Sequence, residues 1–119
     1  MHYAVYCIDK PDSFEMRNDY RAEHRDYLNS QLDRIFFSGP LLADDGILQL
    51  GSLFILSVAS RADAEDFIGR EPYNRVGVFE TVTILRMRKG RYQPQNLCEE
   101  QEAPLRFDPF AGSAETKDR

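Results

Sequence analysis

His24 is the side chain whose type and position bear most directly on chemistry. It lies four residues after Tyr20 and four before Leu28, so on a helix the three share one side. Histidine side chains ordinarily titrate at about pH 6.5 and can take or give a proton at neutral pH. Arg17 and Arg21 precede His24 by seven and three residues, on or beside the same stripe. Two guanidinium groups placed there would draw an anionic ligand and polarise its oxygens. The plainer alternative is a histidine that satisfies its hydrogen bonds at a helix–sheet boundary and does nothing more.

An imidazole that moves protons works best when a carboxylate holds its ring. Asp9 and Glu71 are the two candidates, the first at the end of an apolar run, the second in Glu71-Pro72-Tyr73. Asp9 is preferred because a strand end holds an acid more rigidly than a loop does; its other use is a turn or cap ahead of Pro11. Asp44 and Asp45 precede Gly46 and read as a solvated turn. Tyr73 is either a hydrogen-bond donor to a ligand or an aromatic plug. Ser38, beside Gly39-Pro40, can donate to an anion but has no base next to it in sequence. Cys7 reads as a small core residue rather than a nucleophile. Asp19, Glu23 and Asp26 read as a solvated helix face, and His2 has no informative context.

Most cofactor chemistry finds no support. Two histidines and two distant cysteines, Cys7 and Cys98, supply no zinc-type ligand cluster. The seven glycines fit neither phosphate-binding spacing, and no serine elbow is present. The usual cofactor enzymes are mostly excluded. The chain's 119 residues suit one domain, and 42% hydrophobic residues suffice for a core. With 20 acidic against 15 basic residues, the net charge of −5 argues against a nucleic acid or an anionic membrane as partner. No apolar run approaches the roughly 20 residues that span a bilayer. The opening Met1-His2-Tyr3-Ala4 lacks the pattern of a signal peptide, and two isolated cysteines suit a reducing compartment, so a cytoplasmic protein is expected.

The elements that must position these residues follow from periodicity. Residues 2–9 read as a strand that stops at Lys10-Pro11. Asp12 and Ser13 are N-cap candidates, with Glu15 at capping-box distance from Asp12. One helix is expected from there to about Asp33, with Phe14, Tyr20, Tyr27, Leu28 and Leu32 at helical spacing. Residues 35–42 form a second strand, and Pro40 belongs at an edge or a bulge. Residues 50–59 form the strongest strand, and Ser60 caps a helix over 61–70 with Ala64, Phe67 and Ile68 inward. Pro72 and Gly77 bound a loop, and residues 78–87 form the fourth strand. The order β-α-β-β-α-β is the ferredoxin-like arrangement, an α+β sandwich over residues 1–90. Residues 91–119 form a C-terminal extension, expected to dock in part through Leu97, Leu105, Phe107 and Phe110 and to fray after residue 110.

Right-handed crossovers place both helices on one sheet face. The strands are nonetheless apolar on both sides: Ala4, Tyr6 and Ile8 oppose Tyr3, Val5 and Cys7, and Leu53 and Ile55 oppose Phe54 and Leu56. An uncovered apolar face is rare in a monomer. A homodimer packed sheet to sheet is expected; the alternative is a monomer whose own tail covers the face.

The ordered set of Asp9-Lys10, Asp12-Ser13, Arg17, Arg21, His24, Leu28, Ser38-Gly39-Pro40-Leu41, Gly51-Ser52, Glu71-Pro72-Tyr73 and Gly77-Val78 resembles the YciI-like (YCII-related) family. The resemblance spans Tyr3 to about Lys89. It implies a dimeric α+β barrel related in fold to muconolactone isomerases and antibiotic-biosynthesis monooxygenase-like proteins. It also implies an active site built on a histidine–aspartate pair, without metal or organic cofactor; one family member is a dehydrochlorinase acting on a chlorinated hydroxyhydroquinone. The family histidine corresponds to His24. Where the family commonly has Asp-Pro-Tyr, this chain has Glu71-Pro72-Tyr73, which keeps the charge and adds a methylene. The chain is also shorter between His24 and Gly39, and its tail is longer.

The expected function is then a cofactor-independent enzyme, a lyase, isomerase or hydrolase of a small anionic or oxygenated ring. His24 moves a proton, Asp9 or Glu71 holds it, and Arg17, Arg21, Ser38 and Tyr73 bind the substrate. A non-catalytic ligand-binding or assembly module is the alternative, and a monooxygenase-like enzyme the third reading. An imidazole sharing a cleft with an arginine and a carboxylate favours the enzyme; a fully packed imidazole favours the module.

Overall fold

The computed structural model describes residues 1–96. The expected docking of Leu97, Leu105, Phe107 and Phe110, the fraying beyond them and the setting of Cys98 lie outside the described residues. Eight elements follow one another: β1 (His2–Asp9), α1 (Phe14–Asp19), α2 (Arg21–Ser30), β2 (Ile35–Leu42), β3 (Gln49–Ser57), α3 (Arg61–Arg70), α4 (Pro72–Val76) and β4 (Phe79–Met87). The strands form one antiparallel sheet in the order β2-β3-β1-β4. This is a ferredoxin-like α+β fold, as the element order predicts. No helix among the described residues is long and apolar enough to cross a membrane.

Alternation along β1 and β3 sorts their side chains onto two faces. Tyr3, Val5 and Cys7 stand opposite Leu56, Phe54 and Ser52. On this side they bury against Ala64, Phe67 and Ile68 of α3 and against Tyr73, Val78 and Phe79. Phe67 meets Phe54 edge to face at 5.2 Å between ring centres. The Tyr27 hydroxyl donates to the Phe67 carbonyl at 2.7 Å, which ties α2 to the end of α3. Gly51 is required where β3 crosses β1, because a Cβ there would lie 2.0 Å from the Cys7 carbonyl oxygen.

The other face carries Tyr6, Phe37, Leu85 and Met87 exposed, around half-buried Ala4, Leu53 and Ile55. Register makes these neighbours: Tyr6 opposes Leu53, Ala4 opposes both Ile55 and Leu85, and Phe37 opposes Ile55. The described residues leave this sheet surface open.

Two local expectations are corrected. The helix expected to run unbroken to Asp33 is two helices meeting at Tyr20, whose backbone (φ −107°, ψ 13°) departs from helical geometry. The low helix propensity of Asn18 and Asp19 favours an end to α1 there. The stretch between Pro72 and Gly77 is not a loop but the short helix α4. Pro72 occupies its first turn, Glu71 accepts from the Asn74 N–H at 3.3 Å, and Gly77 closes it in the left-handed region at φ 91°. Ser60 caps as expected, accepting from the Asp63 N–H at 3.2 Å, and Asp45 accepts from the Ile47 and Leu48 N–H groups of its turn. The cap expected at Asp12 or Ser13 does not form, since Ser13 makes no side-chain cap bond to α1 and its hydroxyl donates to the Lys10 and Val78 carbonyls.

Candidate active site

Arg17 projects from α1 into the region where β1 ends and β3 begins, and it is 3% exposed. Its fork donates to both oxygens of Asp9, Nε to Oδ2 at 2.7 Å and Nη2 to Oδ1 at 3.0 Å. Further bonds go to the Gly51 carbonyl, the Ser52 hydroxyl and Gln49 Oε1, at 3.1, 3.1 and 2.9 Å. Guanidinium carries only donors in a fixed plane, so this set of acceptors fixes its orientation. Asp9 is thereby taken. The expectation that it orients His24 gives way to a bidentate pair with Arg17, the geometry at which arginine and carboxylate match best.

The imidazole of His24 is held by the other acid. Its Nδ1 sits on Glu71 Oε2, while Glu71 Oε1 accepts from the Asn74 N–H. Glu71 is fully buried, and the His24 side chain keeps 15% exposure. Nε2 of His24 makes no hydrogen bond with any described residue. The junction of α3 and α4 explains the placement: a carboxylate at the N-cap, with proline at the first helical position, is fixed against the helix end. One side chain thereby both caps α4 and reaches His24 on α2.

Tyr73 joins the two pairs. Its ring stacks on His24 at 3.9 Å with 12° between planes, and the Arg17 guanidinium carbon lies 4.8 Å from the ring centre. Its hydroxyl donates to the Arg17 carbonyl at 3.1 Å. Burial pushes that hydroxyl up to about 12, against the lowering pull of Arg17 and Arg21, so at neutral pH it stays a donor. Tyr73 is therefore placed between the charged groups rather than facing solvent. Arg21 is half-buried at the start of α2, close enough for its charge to act on Tyr73.

Ser38 stands apart. It lies in β2 opposite Phe54 and makes no side-chain hydrogen bond with His24, Glu71 or the arginines. Cys7 is buried, and burial, with Glu71 and Asp9 behind it, pushes its thiol up to about 12. It is a protonated core thiol. Among the described residues no group of three or more His, Cys, Asp or Glu is placed to hold a metal ion.

A cleft of about 560 Å³ opens beside Arg17, lined by Asp9, Arg17, Gln49 and the apolar side chains around them. Gln49 had no signal in the sequence beyond being polar at the start of an apolar strand. His24, Glu71 and Tyr73 are not among the lining residues; Tyr73 connects them to it through Arg17.

This sheet, with a histidine–carboxylate pair on its helix-covered side, is that of a YCII-related domain. The YCII-related domain family matches residues 1–88, and the chain belongs to that family. It is 32% identical to Protein YciI of Escherichia coli over 96 residues, covering 75% of this chain and 98% of that protein. Protein YciI of Shigella flexneri matches to the same extent. Among solved structures, it is similar to 5-chloro-2-hydroxyhydroquinone dehydrochlorinase (TftG) from Burkholderia phenoliruptrix AC1100, in complex with 2,5-dihydroxybenzoquinone. That similarity has a TM-score of 0.69 and 28% identity, over 76% of this chain and 96% of that one.

Proposed function

We propose that the chain is a cofactor-independent enzyme of small oxygenated molecules, a lyase or isomerase in which His24 moves the proton. The observation that carries the reading is the His24–Glu71 pair: a buried carboxylate on Nδ1, an aromatic ring stacked under the imidazole, and Nε2 left for substrate. A carboxylate on Nδ1 keeps the base nitrogen at Nε2 and stabilises the charge the ring gains with a proton. Arg21 supplies positive charge that acts on Tyr73, the ring stacked on His24, and such charge suits an oxyanion that forms as the proton leaves. Arg17 serves a different purpose here from the substrate contact expected of it, since it holds Asp9 and Gln49 in place. Similarity to a dehydrochlorinase supports a ring substrate of the hydroquinone type. Loss of HCl from such a ring needs a base for the proton and room for chloride to depart, and no outside oxidant. The test is chloride release from 5-chloro-2-hydroxyhydroquinone and related chlorinated quinols by the purified chain. Release above the uncatalysed rate is expected; a rate at background for every member of the panel contradicts the proposal.

The functional unit in this reading is a homodimer through the open sheet face. Tyr6, Leu53, Ile55, Phe37 and Leu85 form one contiguous apolar surface there, and a two-fold packing of the same face covers all of it. Light scattering is expected to return twice the 13.8 kDa chain mass. Leu53→Asp is expected to halve that mass or to precipitate the protein, because an unpaired charge in an apolar interface costs several kcal/mol. A wild-type mass of one chain at micromolar concentration would overturn the dimer.

A further inference from the structure

Glu71 meets the His24 ring at one atom. Its Oε2 lies on Nδ1, and a single contact of that kind leaves a planar ring free to turn about the line through it. A flat face laid against the ring removes that freedom. Tyr73 supplies one, with ring centres 3.9 Å apart and planes within 12°. The face of a phenol ring also attracts a cation, so the stack holds when the imidazole gains a proton as well as when it loses one. The two rings come from different helices, His24 from α2 and Tyr73 from α4.

Tyr73 is itself held on every side. It is 1% exposed, and its ring meets Phe79 edge to face at 6.4 Å. Its backbone is pinned too, because its carbonyl accepts from the Val78 N–H at 2.9 Å as α4 closes. The hydroxyl donates at 3.1 Å to the Arg17 carbonyl, in the last turn of α1, where a helix leaves its carbonyls without partners of their own. One side chain thus straddles the break at Tyr20, with its hydroxyl on the end of α1 and its ring face on His24 of α2. We propose that Tyr73 is a positioning residue, whose ring fixes the plane of the imidazole so that Nε2 keeps one bearing on the substrate. This role differs from the ligand contact expected of Tyr73, since the hydroxyl is committed to a backbone carbonyl. The proposal rests on the reading of His24 as the group that moves the proton.

The experiment joins NMR relaxation of the His24 ring C–H groups to steady-state rates, in the full chain and in Tyr73→Leu and Tyr73→Phe. Leucine removes the ring face; phenylalanine keeps it and loses only the tether to α1. The wild-type ring is expected to be as ordered as rigid backbone, with an order parameter of about 0.85, and to fall below about 0.6 in Tyr73→Leu but not in Tyr73→Phe. With a quinol that the wild-type chain converts, Tyr73→Leu is expected to lower kcat about 10–10²-fold at nearly unchanged KM. Tyr73→Phe is expected to recover most of that loss. In the His24→Asn background, Tyr73→Leu is expected to cause no further loss, because a residue that acts through the imidazole has nothing left to position. A mobile His24 ring in the wild type overturns the proposal. So does a ring equally ordered in Tyr73→Leu, or the same loss from Tyr73→Leu with and without His24. If Tyr73→Leu fails to fold, the wild-type and Tyr73→Phe ring dynamics decide. Equal rates for wild type and His24→Asn would instead remove His24 as the base, and the ring dynamics, which need no turnover, would still test Tyr73.

Discussion

Glu71→Gln is expected to lower turnover about 10²–10⁴-fold while leaving the chain folded. The two oxygens of Glu71 have different tasks, Oε1 accepting from the Asn74 N–H and Oε2 meeting Nδ1 of His24. Glutamine has one oxygen, and only an oxygen can accept from Asn74. The cap therefore claims it and turns the NH₂ toward His24. A donor facing Nδ1 forces the imidazole proton onto Nε2, the nitrogen that must be free to act as base. The effect is a change of tautomer, with shape and hydrogen-bond count nearly preserved. Steady-state rates with a quinol that the wild-type chain converts, together with thermal melts, check it. A loss below about tenfold would reduce Glu71 to a helix cap. Glu71→Asp, which keeps the charge and shortens the reach, is expected to fall between the wild type and Glu71→Gln.

Arg17→Met is expected to destabilise the fold by about 3–5 kcal/mol, because it removes one partner of a buried ion pair. Asp9 and Arg17 are 7% and 4% exposed at their side chains, and both carboxylate oxygens lose their donors at once. The Gly51 carbonyl and Ser52 hydroxyl lose theirs too. For a domain of this size the loss corresponds to a drop in melting temperature on the order of 15 °C. Methionine fills most of the volume, so the change reports lost charge pairing more than a cavity. Pairing Arg17→Met with Asp9→Leu is expected to restore much of the stability, since an apolar pair of similar size replaces a buried ion pair at little cost. Urea denaturation of the single and double variants measures both; a loss under about 1 kcal/mol for the single variant contradicts the clamp.

The sheet was legible in the sequence because period-two alternation is local. Tyr3, Val5 and Cys7 against Ala4, Tyr6 and Ile8 is a pattern any reader can test, and burial follows it. The Asp-Asp-Gly turn and the Ser60 cap were legible for the same reason. The break at Tyr20 was not, because apolar spacing continues through it and only the weak propensities of Asn18 and Asp19 oppose it. Which acid holds His24 was not legible either. Both Asp9 and Glu71 lie near helix ends in sequence, and the choice depends on α4 closing against α2, a tertiary event between partners 47 positions apart. One signal was available: a carboxylate directly before proline marks a helix start, which would have placed Glu71 on a rigid cap rather than a loop. Gln49 was invisible because its importance arises wholly from the arginine it meets.

The most direct measurement of the role of His24 compares the wild-type chain with His24→Asn in chloride release from a chlorinated quinol under identical conditions, with melting and mass recorded for both. Asparagine preserves a polar side chain and removes the titrating ring. The expected result is a loss of about 10²–10⁴-fold in rate at unchanged mass and nearly unchanged melting temperature. Equal rates in the two proteins, or an active but strongly destabilised His24→Asn, would contradict it and make His24 a structural residue.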